Sequence, residues 1–253
     1  MIGHTFLATL GKKRLRPGGI KGTNFLIKNS NFNKETQILE VACNQGTSAI
    51  NLLQKYQDIT MTACDLDPNA LEKAINNTNK LGLNNRVKFL VADATKLPFD
   101  DNSFDIVINE AMLTMLPITK KRQAIKEYFR VLKPGGLLLT HDVYLKTNNE
   151  TLQTEIIKEL TNQLLVHVQP LTKENWEKTF INEGFNIHKN IVGKMSLLNP
   201  VGLIRDEGFI NSIKILKKGL SKPNKKRFMG MFNTFKKYKK DIGFIANIAQ
   251  KPL

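Results

Sequence analysis

Gln37-Ile38-Leu39-Glu40-Val41-Ala42-Cys43-Asn44-Gln45-Gly46-Thr47-Ser48-Ala49-Ile50-Asn51-Leu52-Leu53 is the stretch that decides the fold. Its first half is a short, mostly apolar run of strand length, and its second half sets Ala49, Ile50, Leu52 and Leu53 on one helical face. Between them the chain turns through small residues. Asn44 and Gly46 are types that enter the left-handed backbone region readily, so the turn can bring backbone close to a ligand. Glu40, just before the turn, places a carboxylate where an ammonium group can be held, directly or through water.

Outward from this stretch the same alternation repeats. Ile59–Cys64 reads as a second strand, and Asp67-Pro68 opens the next helix with an acidic cap and proline at the first helical position. Val87–Val91 and Phe104–Asn109 read as the third and fourth strands. A helix around Lys121–Leu132 stops at Lys133-Pro134-Gly135-Gly136, and Gly136–Thr140 is the fifth strand. Alternating strands and helices imply right-handed crossovers, hence a doubly wound α/β sheet with helices on both faces. Ligands bind such sheets outside the carboxyl ends of the strands. That directs attention to Glu40–Gly46, Asp65, Asp93, Asn109-Glu110 and His141-Asp142.

Three of these are acids at successive strand ends. Asp65 can accept both hydroxyls of a ribose, Asp93 can accept from an adenine amine, and Glu40 suits an ammonium. Any one of them alone would more often be a helix cap.

Taken together, Ile38 to Leu145 resembles the core of class I S-adenosylmethionine-dependent methyltransferases. Their acidic glycine-rich loop corresponds to Glu40–Gly46, with Ala42 and Asn44 standing where the family usually has glycine. Asp65 matches their ribose acid, Asp93 their adenine-side acid, and Leu132–Gly136 their Leu-Lys-Pro-Gly-Gly turn. Upstream, Pro17-Gly18-Gly19 resembles the loop with which several small-molecule methyltransferases close over the cofactor. A simple turn between two helices is its plainer reading. The resemblance implies a mostly parallel seven-stranded sheet with an antiparallel last strand and a helical lid inserted before it. It implies S-adenosylmethionine as cofactor, held by Gly18, Gly19, Glu40, Ala42, Cys43, Asn44, Gly46, Asp65, Leu66, Asp93, Ala94, Asn109 and Glu110. The expected division is a helical cap over 1–35, the core over 36–195, the lid over 196–241 and the last strand over 242–253.

Absent features narrow the acceptor. Asn109-Glu110-Ala111-Met112 is not the Pro-Pro-aromatic signature of the amino-group methylases of adenine, cytosine and glutamine. Neither Cys43 nor Cys64 lies after the fourth strand, so a thiolate attack on pyrimidine C5 lacks its nucleophile. Glu110 and Asp142 alone give thin support for a metal-dependent catechol type. The expected metal ligands are none. For proton removal, His141 and Asp142 after the fifth strand are the expected catalytic residues, with Tyr144 and Glu110 next, although a single histidine at a strand end is more often structural.

Composition adds a partner question. The chain holds 38 basic and 22 acidic residues, a net charge of +16, but the excess is uneven. From Gly208 to Leu253 there are 12 basic residues against 1 acidic, a net of +11. Phe228, Met231, Phe232 and Phe235 repeat there at helical spacing, as do Ile210 and Ile213. A basic amphipathic helix can lie on an acidic membrane or bind RNA; with no RNA-binding module in the sequence, RNA is the less favoured partner. No apolar run approaches the roughly 20 residues of a membrane span, and no basic region precedes the apolar start, so a cytoplasmic location is expected. The leading expectation is methylation of a small-molecule acceptor, anionic or lipid-like. RNA methylation, a catalytically inactive cofactor-binding regulator and a nicotinamide oxidoreductase are the alternatives, and Glu40 disfavours the last.

Overall fold

The computed structural model describes residues 1–253. Its strands are β1 Ile38–Val41, β2 Met61–Asp65, β3 Val87–Val91, β4 Phe104–Glu110, β5 Leu132–Leu145, β6 Leu171–Thr172, β7 Asn186–Lys194 and β8 Ile242–Gln250. Seven of them form one sheet in the order β3-β2-β1-β4-β5-β8-β7, and the two-residue β6 pairs with β5 beside that path. β1 to β5 run parallel, while β8 is antiparallel to both β5 and β7. The chain direction reverses its march across the sheet between β1 and β4, which opens the crevice that a ligand can enter.

The helices are α1 Gly3–Thr9, α2 Ile20–Lys28, α3 Thr47–Lys55, α4 Pro68–Asn79, α5 Ile118–Val131, α6 Glu150–Leu164, α7 Lys173–Ile181, α8 Pro200–Glu207, α9 Phe209–Leu220 and α10 Lys225–Lys237. Side chains alternate across the sheet, so Ile38 joins Leu52 and Ile106 in one core while Leu39 joins Val107, Tyr128 and Trp176 in the other. Starts are fixed locally: Asp67 accepts the Asn69 N–H at 2.9 Å and Thr172 accepts that of Asn175 at 3.2 Å. Such caps are worth about 1 kcal/mol each.

One expectation is corrected. The fifth strand does not end at Thr140 but continues to Leu145, because β8 pairs with it along its whole length to Ile242. His141 and Asp142 therefore sit inside a buried strand and not beyond its end. The cap and the lid pack against each other. Phe6, Leu7 and Leu10 pack with Leu203, Ile215, Phe228 and Met231 in a single apolar cluster, so the N-terminal segment and the lid build one roof. Within the lid, Phe228 and Met231 are buried as their spacing implies, but Ile210 and Ile213 face outward.

Candidate active site

The crevice at the carboxyl end of β1 is shaped by an unusual turn. Ala42 (φ 60°), Asn44 (φ 48°) and Gly46 (φ 72°) all adopt left-handed backbone. At Gly46 a side chain would be strained and would stand 3.1 Å from the Ala74 Cβ, so glycine is needed for α3 to start against α4. Ala42 and Asn44 take the same region without being glycine. The turn is held across the switch point, with the Asp65 Oδ2 accepting the Asn44 N–H at 2.7 Å. The Asp65 Oδ1 accepts the Asp67 N–H at 3.0 Å, which fixes the carboxylate at the end of β2.

Of the expected cofactor residues, Glu40, Ala42, Cys43, Asn44, Asp65 and Glu110 line this crevice. Glu40 is buried, and its Oε2 has no hydrogen-bond partner. Burial pushes its carboxyl up to about 7, against the pull of the nearby Arg16 guanidinium. Asp93 stands exposed beyond β3, with Oδ1 accepting from the Thr95 N–H and hydroxyl, both at 2.8 Å. Leu66, beside Asp65, leaves 67% of its surface open, and Ala94 is half-buried near Asp93.

Several expected residues are elsewhere. Asn109 is fully buried and donates to the Val41 carbonyl at 2.9 Å, so it ties β4 to β1 and does not face the crevice. Gly18 and Gly19 do not line it either. The Gly18 N–H donates to Nε2 of His141 at 2.9 Å, and Gly19 (φ 55°) packs against the Asp206 carboxylate. The loop that contains them runs over β5 and α8, while Lys12, Lys13, Leu15 and Arg16 just before it line the crevice.

His141 lies within a buried hydrogen-bond network. It is buried, its Nε2 takes the Gly18 N–H, and its Nδ1 lies 3.0 Å from Oε1 of Glu110. With Nε2 accepting, the proton sits on Nδ1 and points at the carboxylate, so no free lone pair is left to act as a base. Glu110 is the hub. Arg16 Nε approaches its Oε2 at 2.7 Å, Ser48 donates to that oxygen at 3.1 Å, and Thr23 donates to Oε1 at 2.5 Å. Burial acts to raise its pKa, but Arg16 and the His141 and Thr23 hydrogen bonds outweigh it and hold the carboxyl at about 2.

Arg16, which opens the Pro-Gly-Gly loop, lines the crevice, as do Ser48, Met115 and His4, which were not among the expected residues. His4 on α1 carries a buried, unpartnered Nδ1, and desolvation holds its imidazole below the usual value despite Asp65 and Asp67. Ser48 and Met115 directly follow the Gly46 turn and β4, whereas His4 reaches the site from the N-terminal helix, with no local pattern to mark it.

Residues 38–136 match a family model described as a methyltransferase domain. An uncharacterized protein of Haemophilus influenzae is 48% identical over 250 residues, covering 99% of this chain and 98% of that one. Phosphoethanolamine N-methyltransferase 1 of Arabidopsis thaliana is 32% identical over 136 residues, which span 52% of this chain and 26% of that enzyme. The solved structure of phosphoethanolamine N-methyltransferase 2 of Haemonchus contortus, in complex with S-adenosyl-L-methionine, aligns with a TM-score of 0.76 at 20% identity. That alignment covers 99% of this chain and 57% of the other, and it shows a shared fold.

Proposed function

The chain belongs to the class I S-adenosylmethionine-dependent methyltransferases, and from that premise we propose that it methylates a small-molecule acceptor in the crevice above β1 and β4. One observation carries the reading. The buried Glu40 leaves a carboxylate oxygen unpartnered in the same crevice that presents the fixed Asp65 carboxylate. A buried acceptor without a donor costs on the order of 1–3 kcal/mol, so a ligand bringing an ammonium group is favoured there. Asp65 would take the ribose hydroxyls, and the free oxygen of Asp93 the adenine amine. Leu66 offers open apolar surface for the adenine ring.

The cofactor supplies an activated methyl group on a sulfonium. The protein's own contribution is positioning and exclusion of water, which suffice for an in-line displacement. Arg16, latched to Glu110, closes the roof over the crevice. Calorimetry with S-adenosylhomocysteine, and mass spectrometry of small ligands retained on purification, test the reading. Micromolar binding of the homocysteine product is expected. NADH binding in its place would overturn the assignment.

The basic tail supports a second surface, for anionic lipid headgroups. On α9 the exposed Ile210, Ile213 and Leu220 share a stripe with Lys214 and Lys217. Apolar side chains left open between lysines suit the headgroup region of an acidic bilayer better than a nucleic acid backbone. No helix is long and apolar enough to cross a membrane.

A further inference from the structure

A second cavity opens beside the cofactor crevice and shares His4, Leu15, Ala111 and Met115 with it. Resting on the reading that the crevice holds the cofactor, we propose that this second cavity is the acceptor site. We propose further that it takes an uncharged, mainly apolar molecule presenting one hydroxyl or amine proton.

The lining sets the class. Leu160 and Leu164 of α6, Val168, Met195, Leu197 and Phe235 of α10 form most of its wall, and neither lysine nor arginine contributes. Apolar walls reward apolar ligands by about 25 cal/mol per Å² of surface removed from water. Three polar side chains interrupt them: His4, Thr114 and Asp142. Asp142 is 1% exposed; its Oδ1 accepts the Thr114 N–H at 2.9 Å, and its Oδ2 is buried with no partner at all. The pocket therefore holds a lone acceptor oxygen waiting for a donor.

Charge excludes anions. Lys121, the cation nearest in effect to Asp142, is turned away: its Nζ donates to the Gln169 carbonyl at 2.7 Å and lies over the Trp176 ring. It does not line the cavity. His4, held neutral by burial, offers no positive charge. Burial pushes the Asp142 carboxyl up to about 7; above that, a carboxylate or phosphate would meet its charge in an apolar wall with nothing to balance it, a costly arrangement. Of the two classes expected from sequence, the lipid-like acceptor fits and the anionic one does not.

The position matches the chemistry. The shared residues Ala111 and Met115 follow β4, so the cavity meets the crevice on the Glu110 side, away from Asp93. An acceptor seated there presents its proton-bearing atom where the two spaces join.

The experiment uses the full chain saturated with S-adenosylhomocysteine at pH 8.5, with N-phenyl-1-naphthylamine as a neutral fluorescent probe. The probe is displaced by 1-decanol, decane or decanoate. Binding of the probe is expected, with decanol displacing it roughly tenfold better than decanoate, the effect of one charge-assisted bond. Asp142→Asn, which removes the charge, should let decanoate approach decanol. Leu164→Trp, which fills the cavity, should abolish probe binding while leaving homocysteine-product affinity intact. Equal or better displacement by decanoate in the unmodified protein overturns the proposal, as does unchanged probe binding in Leu164→Trp. If Asp142→Asn does not fold, those two results still decide it. Failure to bind S-adenosylhomocysteine would instead sink the functional reading on which the proposal rests.

Discussion

Nδ1 of His141 donates to Oε1 of Glu110 across 3.0 Å, while Nε2 of the same ring accepts the N–H of Gly18 at 2.9 Å. A single imidazole thereby links β4, β5 and the N-terminal segment that roofs the crevice. Its neighbours leave it no slack: a side chain at Gly18 or Gly22 would fall within 3 Å of the ring. His141→Ala removes two buried hydrogen bonds and leaves the Gly18 donor and part of Glu110 unmatched. The expected loss is on the order of 2–4 kcal/mol, read as a melting temperature lower by roughly 5–15 °C. Cofactor affinity should fall with it as the roof loosens. A variant with unchanged melting that had lost only turnover would return His141 to the role of base.

Asp65 holds two backbone amides and faces the crevice. Asp65→Ala should weaken S-adenosylhomocysteine by roughly 10–1,000-fold, since each charge-assisted bond contributes about 1.5–3 kcal/mol. Asp65→Asn should fall between, because one amide oxygen still accepts. Calorimetry that found the Ala variant binding as tightly as the parent would remove Asp65 from the cofactor site.

Glu40 couples binding to pH. Its carboxyl is raised to about 7, chiefly by burial. An acid raised by folding gives stability that is full below its unfolded pKa near 4 and lost as pH climbs through 7. Glu40→Gln should therefore be more stable than the parent at pH 8, on the order of 1–3 kcal/mol, with the gap closing toward pH 5. The same substitution should cost cofactor affinity. In the parent, affinity should drop as pH falls from 8 to 6, because a protonated Glu40 no longer attracts the ammonium; in Glu40→Gln that dependence should flatten. Parallel titrations and melts across this range check both.

Ala42 occupies the left-handed region at φ 60°. Relief of that conformation is worth about 1–2 kcal/mol, against about 0.4–1 kcal/mol for the extra freedom glycine gives the unfolded chain. Ala42→Gly should therefore stabilise the protein by about 0.5–1 kcal/mol. Denaturant melts showing a loss instead would mean that the Ala42 methyl group packs usefully against its surroundings.

The α9 surface predicts sedimentation with vesicles of phosphatidylglycerol and phosphatidylcholine, weakened by salt and by Lys214→Glu with Lys217→Glu. Ile210→Ser with Ile213→Ser should weaken it at any salt, since both side chains are exposed and their loss spares the core. Tight tRNA binding falling by about 0.7 log units per contacted phosphate per decade of salt would favour the nucleic acid instead.

The chain's order of residues determined the parallel core, the turn after Glu40 and the helix start at Asp67. Each depends on neighbours within a few positions: strand runs, left-handed turn residues and caps act through local geometry, which a sequence displays directly. The partners of His141 were not legible in the sequence, for the opposite reason. Position at a strand end suggests a free side chain, but β8 extended that strand past it, and Gly18 lies 123 residues away along the chain. His4 carries no local mark of its place in the crevice, and Asp142 became distinctive only once its Oδ2 was found buried beside apolar walls. Which polar groups are paired and which are left waiting is set by packing between distant segments, because in a dry interior a partner's position decides whether a charge is satisfied.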